Sequence, residues 1–184
     1  MGSEMCIRDR SDGVVMAEMV YEGYGPGGIG IMVETLTDNK NRTVSDIRST
    51  LSKAGGNMAE SGAVAWQFEQ KGVIVVDADT SEAEDLALIA IDAGADDFET
   101  YDGTLHVYSE PNSLENIRST LTDSEAKVSS TELSMIPSNT VMLDSKKAIQ
   151  TLRLLDSLEE LDDVQKVYSN ADFPEEAMDD FKAG

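Results

Sequence analysis

With 184 residues, 40% of them hydrophobic and set in periodic runs, the chain can bury one large core or two small ones and is not intrinsically disordered. Fourteen Lys and Arg stand against thirty-six Asp and Glu, a formal net charge of −22, which excludes tight contact with nucleic-acid phosphates or anionic membranes unless the few cations share one patch. No apolar run of about 18 residues, no signal-peptide pattern and a single cysteine, Cys6, exclude a transmembrane helix, a disulfide within the chain and a Cys-rich zinc site, so a cytoplasmic protein is expected.

The first ten residues, MGSEMCIRDR, resemble the conceptual translation of a sequencing adaptor. They and Cys6 are set aside, and the native chain is expected to begin upstream of Asp12.

Residues 17–24 and 29–36 suit strands, with Ile29, Ile31 and Val33 on one face and Met32 and Leu36 on the other. The Gly-Pro-Gly-Gly between them breaks the chain, so the pair reads as a hairpin. Thr43 and Asp46 suggest a helix N-cap, Val44, Ile47, Leu51 and Ala54 recur at helical spacing, and Gly55-Gly56 supplies the stop. A strand is expected at 63–69, AVAWQFE, with Trp66 and Phe68 sharing a face. They could stack bases, but core packing is the expected role for the tryptophan.

From Gly72 a second pattern begins. GVIVVD reads as a buried strand, Ser81 to Glu84 as a capping box opening a helix, and DDFETYDGTLHVYSE as two strands about an Asp-Gly turn. Asn112 and Glu115 can cap the next helix, and 126–136 closes the pattern as a strand. The order βαββαβ is the ferredoxin-like arrangement. A helix at about 145–161 and a strand at about 164–169 follow Pro137. They complete the earlier ββαβ, so residues 11–71 plus 137–184 are expected to form one discontinuous α+β domain, with 72–136 inserted into it as a ferredoxin-like domain.

The chemistry tests are mostly negative. The glycine cluster at 23–30 lacks the Lys-Ser/Thr of a phosphate-binding loop, and a strand follows it where a dinucleotide fingerprint needs a helix. The one histidine, His106, alternates with Leu105 and Val107 and reads as a sheet-surface residue. DADTSEAED at 77–85 lacks the glycine and final glutamate of a calcium loop. Neither catalytic residues, a metal nor a cofactor are expected. Charge is more informative. Residues 72–184 hold 7 basic and 26 acidic side chains, whereas within 39–53 Lys40, Arg42, Arg48 and Lys53 face only Asp46.

The stretch YEGYGPGGIGIMVETLTDNKNRTVSDIRSTLSKAGGNMAESGAVAWQFEQKGVI, residues 21–74, resembles the signature region of the YebC/PmpR family. AGADD at 93–97, YDG at 101–103, ELSMIPSNTV at 132–141 and LLDSLEELDDVQKVYSN at 154–170 are similar to further runs of that family. The resemblance spans residues 17–171. It implies a basic helical N-terminal domain, here absent, followed by two α+β domains of ferredoxin-like type, one inserted into the other. It also implies a non-enzymatic regulator of gene expression: a DNA-binding transcriptional regulator, or a ribosome-associated translation factor that relieves stalling, with mitochondrial relatives that activate translation of cytochrome c oxidase subunit one. RNA, the ribosome or DNA would then be the partner, reached mainly through the absent domain, and no membrane is involved. The contact residues expected in this chain are Tyr24, Gly25, Pro26, Gly27 and Gly28 as a rigid loop, with Lys40, Arg42, Arg48 and Lys53 as phosphate partners. The alternatives are a small-molecule-sensing α+β module, or a nucleotide- or metal-dependent enzyme using the glycine loop with Glu22 and Glu34.

Overall fold

The computed structural model describes residues 3–9 by their backbone course and residues 15–183 in full. Expectations about Met1, Gly2, Arg10 and the Cys6 side chain lie outside the described residues. In chain order the elements are β1 (Ser3–Asp9), β2 (Val15–Tyr24), β3 (Gly30–Thr37), α1 (Lys40–Lys53), β4 (Asn57–Ala59), β5 (Phe68–Asp77), α2 (Thr80–Asp92), β6 (Asp97–Tyr101), β7 (Thr104–Ser109), α3 (Leu114–Asp123), β8 (Lys127–Pro137), β9 (Val141–Met142), α4 (Ser145–Glu159), β10 (Val164–Ser169), β11 (Ala171–Asp172) and α5 (Glu175–Ala183). The fold is mixed α+β, and its contacts divide it into two compact units, Met1–Phe68 with Pro137–Gly184, and Glu69–Ile136.

The first unit is built on a sheet in the order β1-β2-β3-β10, with β4 also pairing β2. The β2–β3 hairpin runs antiparallel from Ala17↔Thr37 to Tyr24↔Gly30. Its period of two sends Met19, Tyr21, Ile31 and Val33 to one face, where they meet Ile47 and Leu51 of α1 and Ala148, Leu154 and Leu158 of α4 in one core. α5 adds Ala177 to this core. The adaptor-like residues set aside above run along β2 as β1, from Ser3↔Val20 to Asp9↔Val15. An edge strand presents a row of unpaired N–H and C=O groups, and any extended segment can pair with it.

The second unit has the sheet order β6-β7-β5-β8. Numbered within the unit this is 2-3-1-4, the ferredoxin-like order, with α2 and α3 as the crossovers. Ile74, Val76, Leu105 and Val107 pack against Ala83, Ala87 and Ala90 of α2 and Ile117 and Leu121 of α3. His106 alternates with Leu105 and Val107 as expected and is half-buried on the other face.

Four local expectations need correction. α1 starts at Lys40, capped by Asn39, whose Oδ1 accepts the Arg42 N–H at 3.1 Å. Thr43 lies inside the helix, buried, because its hydroxyl is drawn to Asp163 instead. α2 is capped by Asp79, which accepts from the amides of Ser81 and Glu82. A carboxylate is at least as good a cap as the serine expected there. α3 begins after a 3-10 turn at Pro111–Ser113, with no side-chain cap. The largest difference is at 63–69. Only Phe68 and Glu69 are strand, as the start of β5; residues 63–67 form a turn that ends in a 3-10 turn at Ala65–Gln67. Phe68 is buried, but Trp66 is 75% exposed and not part of the core.

Candidate nucleic-acid interface

The hairpin turn is a 3-10 turn at Pro26–Gly28 in which Gly25 N donates to Ile29 O at 3.0 Å and Gly28 N donates to Gly25 O at 3.1 Å. Pro26 is buried, whereas Gly27 and Gly28 face solvent with φ near 80°. Gly27 sits hard against the start of the α4 region. A Cβ there would stand 2.7 Å from Leu143 Cδ2 and 3.7 Å from Lys147 Cδ. The five loop residues Tyr24, Gly25, Pro26, Gly27 and Gly28 therefore form one compact tip, beside a lysine that the sequence reading did not single out.

The four cations of α1 do not gather into one patch. At about 100° per residue, Arg48 and Lys53 diverge by about 140° around the helix. Lys40 stands at the N-terminal end, and Arg48 lines a shallow hollow with Asn41, Val44, Ser45 and Ser49. Arg42 is an internal clamp. Its Nε donates to Asp163 Oδ2 at 3.2 Å and its Nη2 to Asp163 Oδ1 at 2.8 Å and to Asp38 Oδ1 at 3.0 Å. These carboxylates raise the Arg42 pKa further above its ordinary value, through hydrogen bonds to Asp163 first and Asp38 second.

Lys53 does join a cationic cluster, but with residues far along the chain. A groove of about 740 Å³ runs between α1 and α4, lined by Thr50, Lys53, Ala54, Lys146, Ile149, Gln150, Arg153, Leu154 and Ser157. Gln150 Nε2 donates to Ala54 O at 2.7 Å, which ties the end of α1 to α4. Ala54, Ile149 and Leu154 supply apolar lining, and no acidic side chain contributes. Lys53, Lys146 and Arg153 form no ion pair with another described residue. The contrast with the second unit is sharp: Lys71 pairs with Asp96, Glu110 and Glu69, Arg118 with Glu115, and Lys127 with Asp77. Helices α1 and α4 together carry 7 of the 14 basic residues. Sequence reasoning missed Lys146, Lys147 and Arg153 because a count along the chain dilutes them with Asp156 and Glu159. Only the packing of α4 beside α1 reveals the cluster.

Glu22 has a structural task. Its side chain is buried, Oε1 accepts from Val64 N at 2.9 Å and Ala65 N at 2.7 Å, and Oε2 accepts from Gly62 N at 2.5 Å. Those three bonds occupy most of the carboxylate's acceptor sites and tie it to the 62–65 turn. Among the described residues no group of three or more His, Cys, Asp or Glu side chains is arranged to hold a metal ion, and no helix is long and apolar enough to cross a membrane.

These features define a two-unit α+β protein with a ferredoxin-like unit and a glycine-tipped hairpin backed by two cation-bearing helices. Residues 16–171 match the family model described as the second and third domain of TACO1/YebC, and the chain belongs to that family. It is 49% identical over 170 residues to a "probable transcriptional regulatory protein" of Dehalococcoides mccartyi strain BAV1, covering 92% of this chain and 68% of the relative. A protein of the same name from Halothermothrix orenii is 45% identical over 172 residues, with the same coverage. The crystal structure of a conserved hypothetical protein from Aquifex aeolicus superposes with a TM-score of 0.80 at 38% identity, covering 87% of this chain and 66% of that one. The chain thus spans about two thirds of the length of the relatives it matches.

Proposed function

We propose that this chain is the non-catalytic α+β part of a regulator of gene expression, and that it holds nucleic-acid phosphates in the groove between α1 and α4. The observation that carries this reading is the trio Lys53, Lys146 and Arg153, unpaired on an acid-free lining in a chain of net charge −22. Such a chain has no long-range attraction for a polyanion, so contact depends on cations concentrated at one place. The regulatory names of the relatives agree with a binding role. The glycine tip at Tyr24–Gly28 adjoins Lys147 and would extend the same surface, while Arg42 supports it by fixing α1.

The test is a salt series. Each phosphate neutralised contributes a slope of about −0.7 for single strands and about −0.9 for duplex DNA in log affinity against log salt. The reversal Lys53→Glu/Lys146→Glu/Arg153→Glu is expected to flatten the slope by about two to three. The same slope and affinity in the reversed protein would remove the groove from the interface. Comparing RNA and DNA ligands then identifies the preferred polymer.

A further inference from the structure

Trp66, the single tryptophan of the chain, is 75% exposed on a turn that the rest of the unit holds firmly. Its indole Nε1–H donates to Ala63 O at 2.9 Å, so the polar edge is satisfied internally and the ring is fixed. Behind it, the Glu22 carboxylate accepts the amides of Gly62, Val64 and Ala65. Val64 is fully buried over Gly30, where an added Cβ would lie 3.2 Å from Val64 Cβ. Gln67 Oε1 accepts from Asn170 Nδ2 at 2.7 Å, and Asn170 Oδ1 accepts from Gly30 N at 2.8 Å. Three separate anchors therefore hold this turn against the base of the glycine hairpin, and what they present is an aromatic ring. An exposed indole whose N–H is already satisfied, on so constrained a scaffold, offers a fixed aromatic face, and such a face can stack a base without being ordered first.

We propose that Trp66 is a base-stacking platform for single-stranded nucleic acid. The proposal rests on the phosphate-binding reading above and specifies its ligand as an unpaired strand. Sheet position explains how the two features can serve one ligand. Glu22 and Gly30 lie at the even positions of the hairpin, on the opposite face from the helix-facing Tyr21, Ile31 and Val33. The Trp66 turn covers that face, and α1 and α4 cover the other. The exposed tip at Gly27 and Gly28 ends the hairpin between them, with Gly27 against Leu143 and Lys147. A strand rounding this tip would meet an aromatic face on one side and lysines on the other, with no side chain from Gly27 or Gly28 in its path. Stacking surfaces joined to a cationic track suit unpaired bases, whose π-faces a duplex keeps covered.

Trp66 is its own reporter. Titration of the full chain with a single-stranded oligouridylate at low salt is expected to quench its emission saturably, and a duplex RNA of the same length is expected to leave it unchanged. Trp66→Leu should weaken oligouridylate binding, read by anisotropy of a labelled strand, by about 5- to 150-fold with an unchanged salt slope. Trp66→Phe should recover most of the loss. Since Trp66 is exposed, both variants should melt like the parent. Saturable binding with Trp66 emission unmoved, Trp66→Leu binding as tightly as the parent, or equal quenching by the duplex overturns the stacking role while leaving the phosphate reading intact. If neither oligonucleotide binds the parent and reversal of Lys53, Lys146 and Arg153 changes nothing, both proposals fall together.

Discussion

Arg42 and Asp163 are joined side-on, two guanidinium nitrogens to two carboxylate oxygens, at 3.2 and 2.8 Å across 121 positions of sequence. The same carboxylate accepts the buried Thr43 hydroxyl at 2.7 Å. Together these bonds fix the first turn of α1 to the segment that enters β10. Burial of Asp163 pushes its pKa up, but the bonds from Arg42 and Thr43 and the charge of Arg42 outweigh it, leaving the carboxyl below its ordinary value. An acid depressed in the folded state stabilises the fold fully above its unfolded pKa, about 3.9, and loses that contribution as pH falls through the lower folded value. The expected outcome is a difference in urea midpoint between the parent and Asp163→Asn that is constant from neutral pH to about 5 and narrows below about 4. A difference that persists undiminished at the acid end would mean that the carboxylate's charge is not what holds α1.

Glu22 should control the Trp66 turn from inside. Glu22→Gln keeps one acceptor oxygen and introduces two donors where Gly62, Val64 and Ala65 already present N–H groups. At least one of these amides then loses its partner, at a cost of about 1–3 kcal/mol if it is the buried Val64 N–H and less if it is that of the exposed Gly62. Amide exchange at Val64 and Ala65 should accelerate, and Trp66 fluorescence anisotropy should fall. Unaltered exchange at these amides would show that the turn is held by Val64, Gln67 and Asn170 without the carboxylate.

What the sequence makes legible is periodicity, and what it hides is convergence. The alternation of β2 and β3, the Asp-Gly turn before β7, and the stop at Gly55-Gly56 are local and follow from side-chain spacing and turn chemistry. The expectation of a strand at 63–69 failed over 63–67 because AVAWQ has β-forming residues, while three of its neighbourhood's amides bond a glutamate about forty positions earlier, a tertiary contact that local preference cannot register. The same cause misplaced the start of α1, since Thr43 looks like a cap until Asp163 is brought beside it. Of the expected phosphate partners, Lys53 stands in the groove and Arg42 is spent on Asp163. Lys146 and Arg153 became visible only once α4 was packed against α1.

The glycine tip offers a matched pair of substitutions. Gly27 and Gly28 have nearly the same φ, 79° and 80°, but a Cβ on Gly27 would stand 2.7 Å from Leu143 Cδ2 while one on Gly28 would meet nothing within 4 Å. Gly28→Ala therefore measures the left-handed backbone cost alone, about 1–2 kcal/mol. Gly27→Ala adds a collision that must move Leu143, itself buried in the core of the first unit. Urea denaturation should rank Gly27→Ala as the more destabilised variant. Equal losses would mean that Leu143 yields freely and that the tip is not braced against the α4 region.

The open face of the second sheet carries a separate test. On that face Tyr108 donates its hydroxyl to Glu99 at 3.1 Å, across the pairing of β6 with β7. Burial, then the charge of Glu99, then the hydrogen bond to it push the phenol up to about 12. Because the folded state keeps this proton while the unfolded chain releases it near pH 10, the stability it contributes is complete below about pH 10 and declines as pH rises towards the folded value. Ultraviolet difference titration should show, besides the buried Tyr21, whose phenol pKa burial also raises, a late step from Tyr108. Glu99→Gln should bring that step earlier by removing the charge, yet leave it above the ordinary tyrosine value because the burial remains. A step that does not move would assign the shift to burial alone and reduce Glu99 to a solvated neighbour.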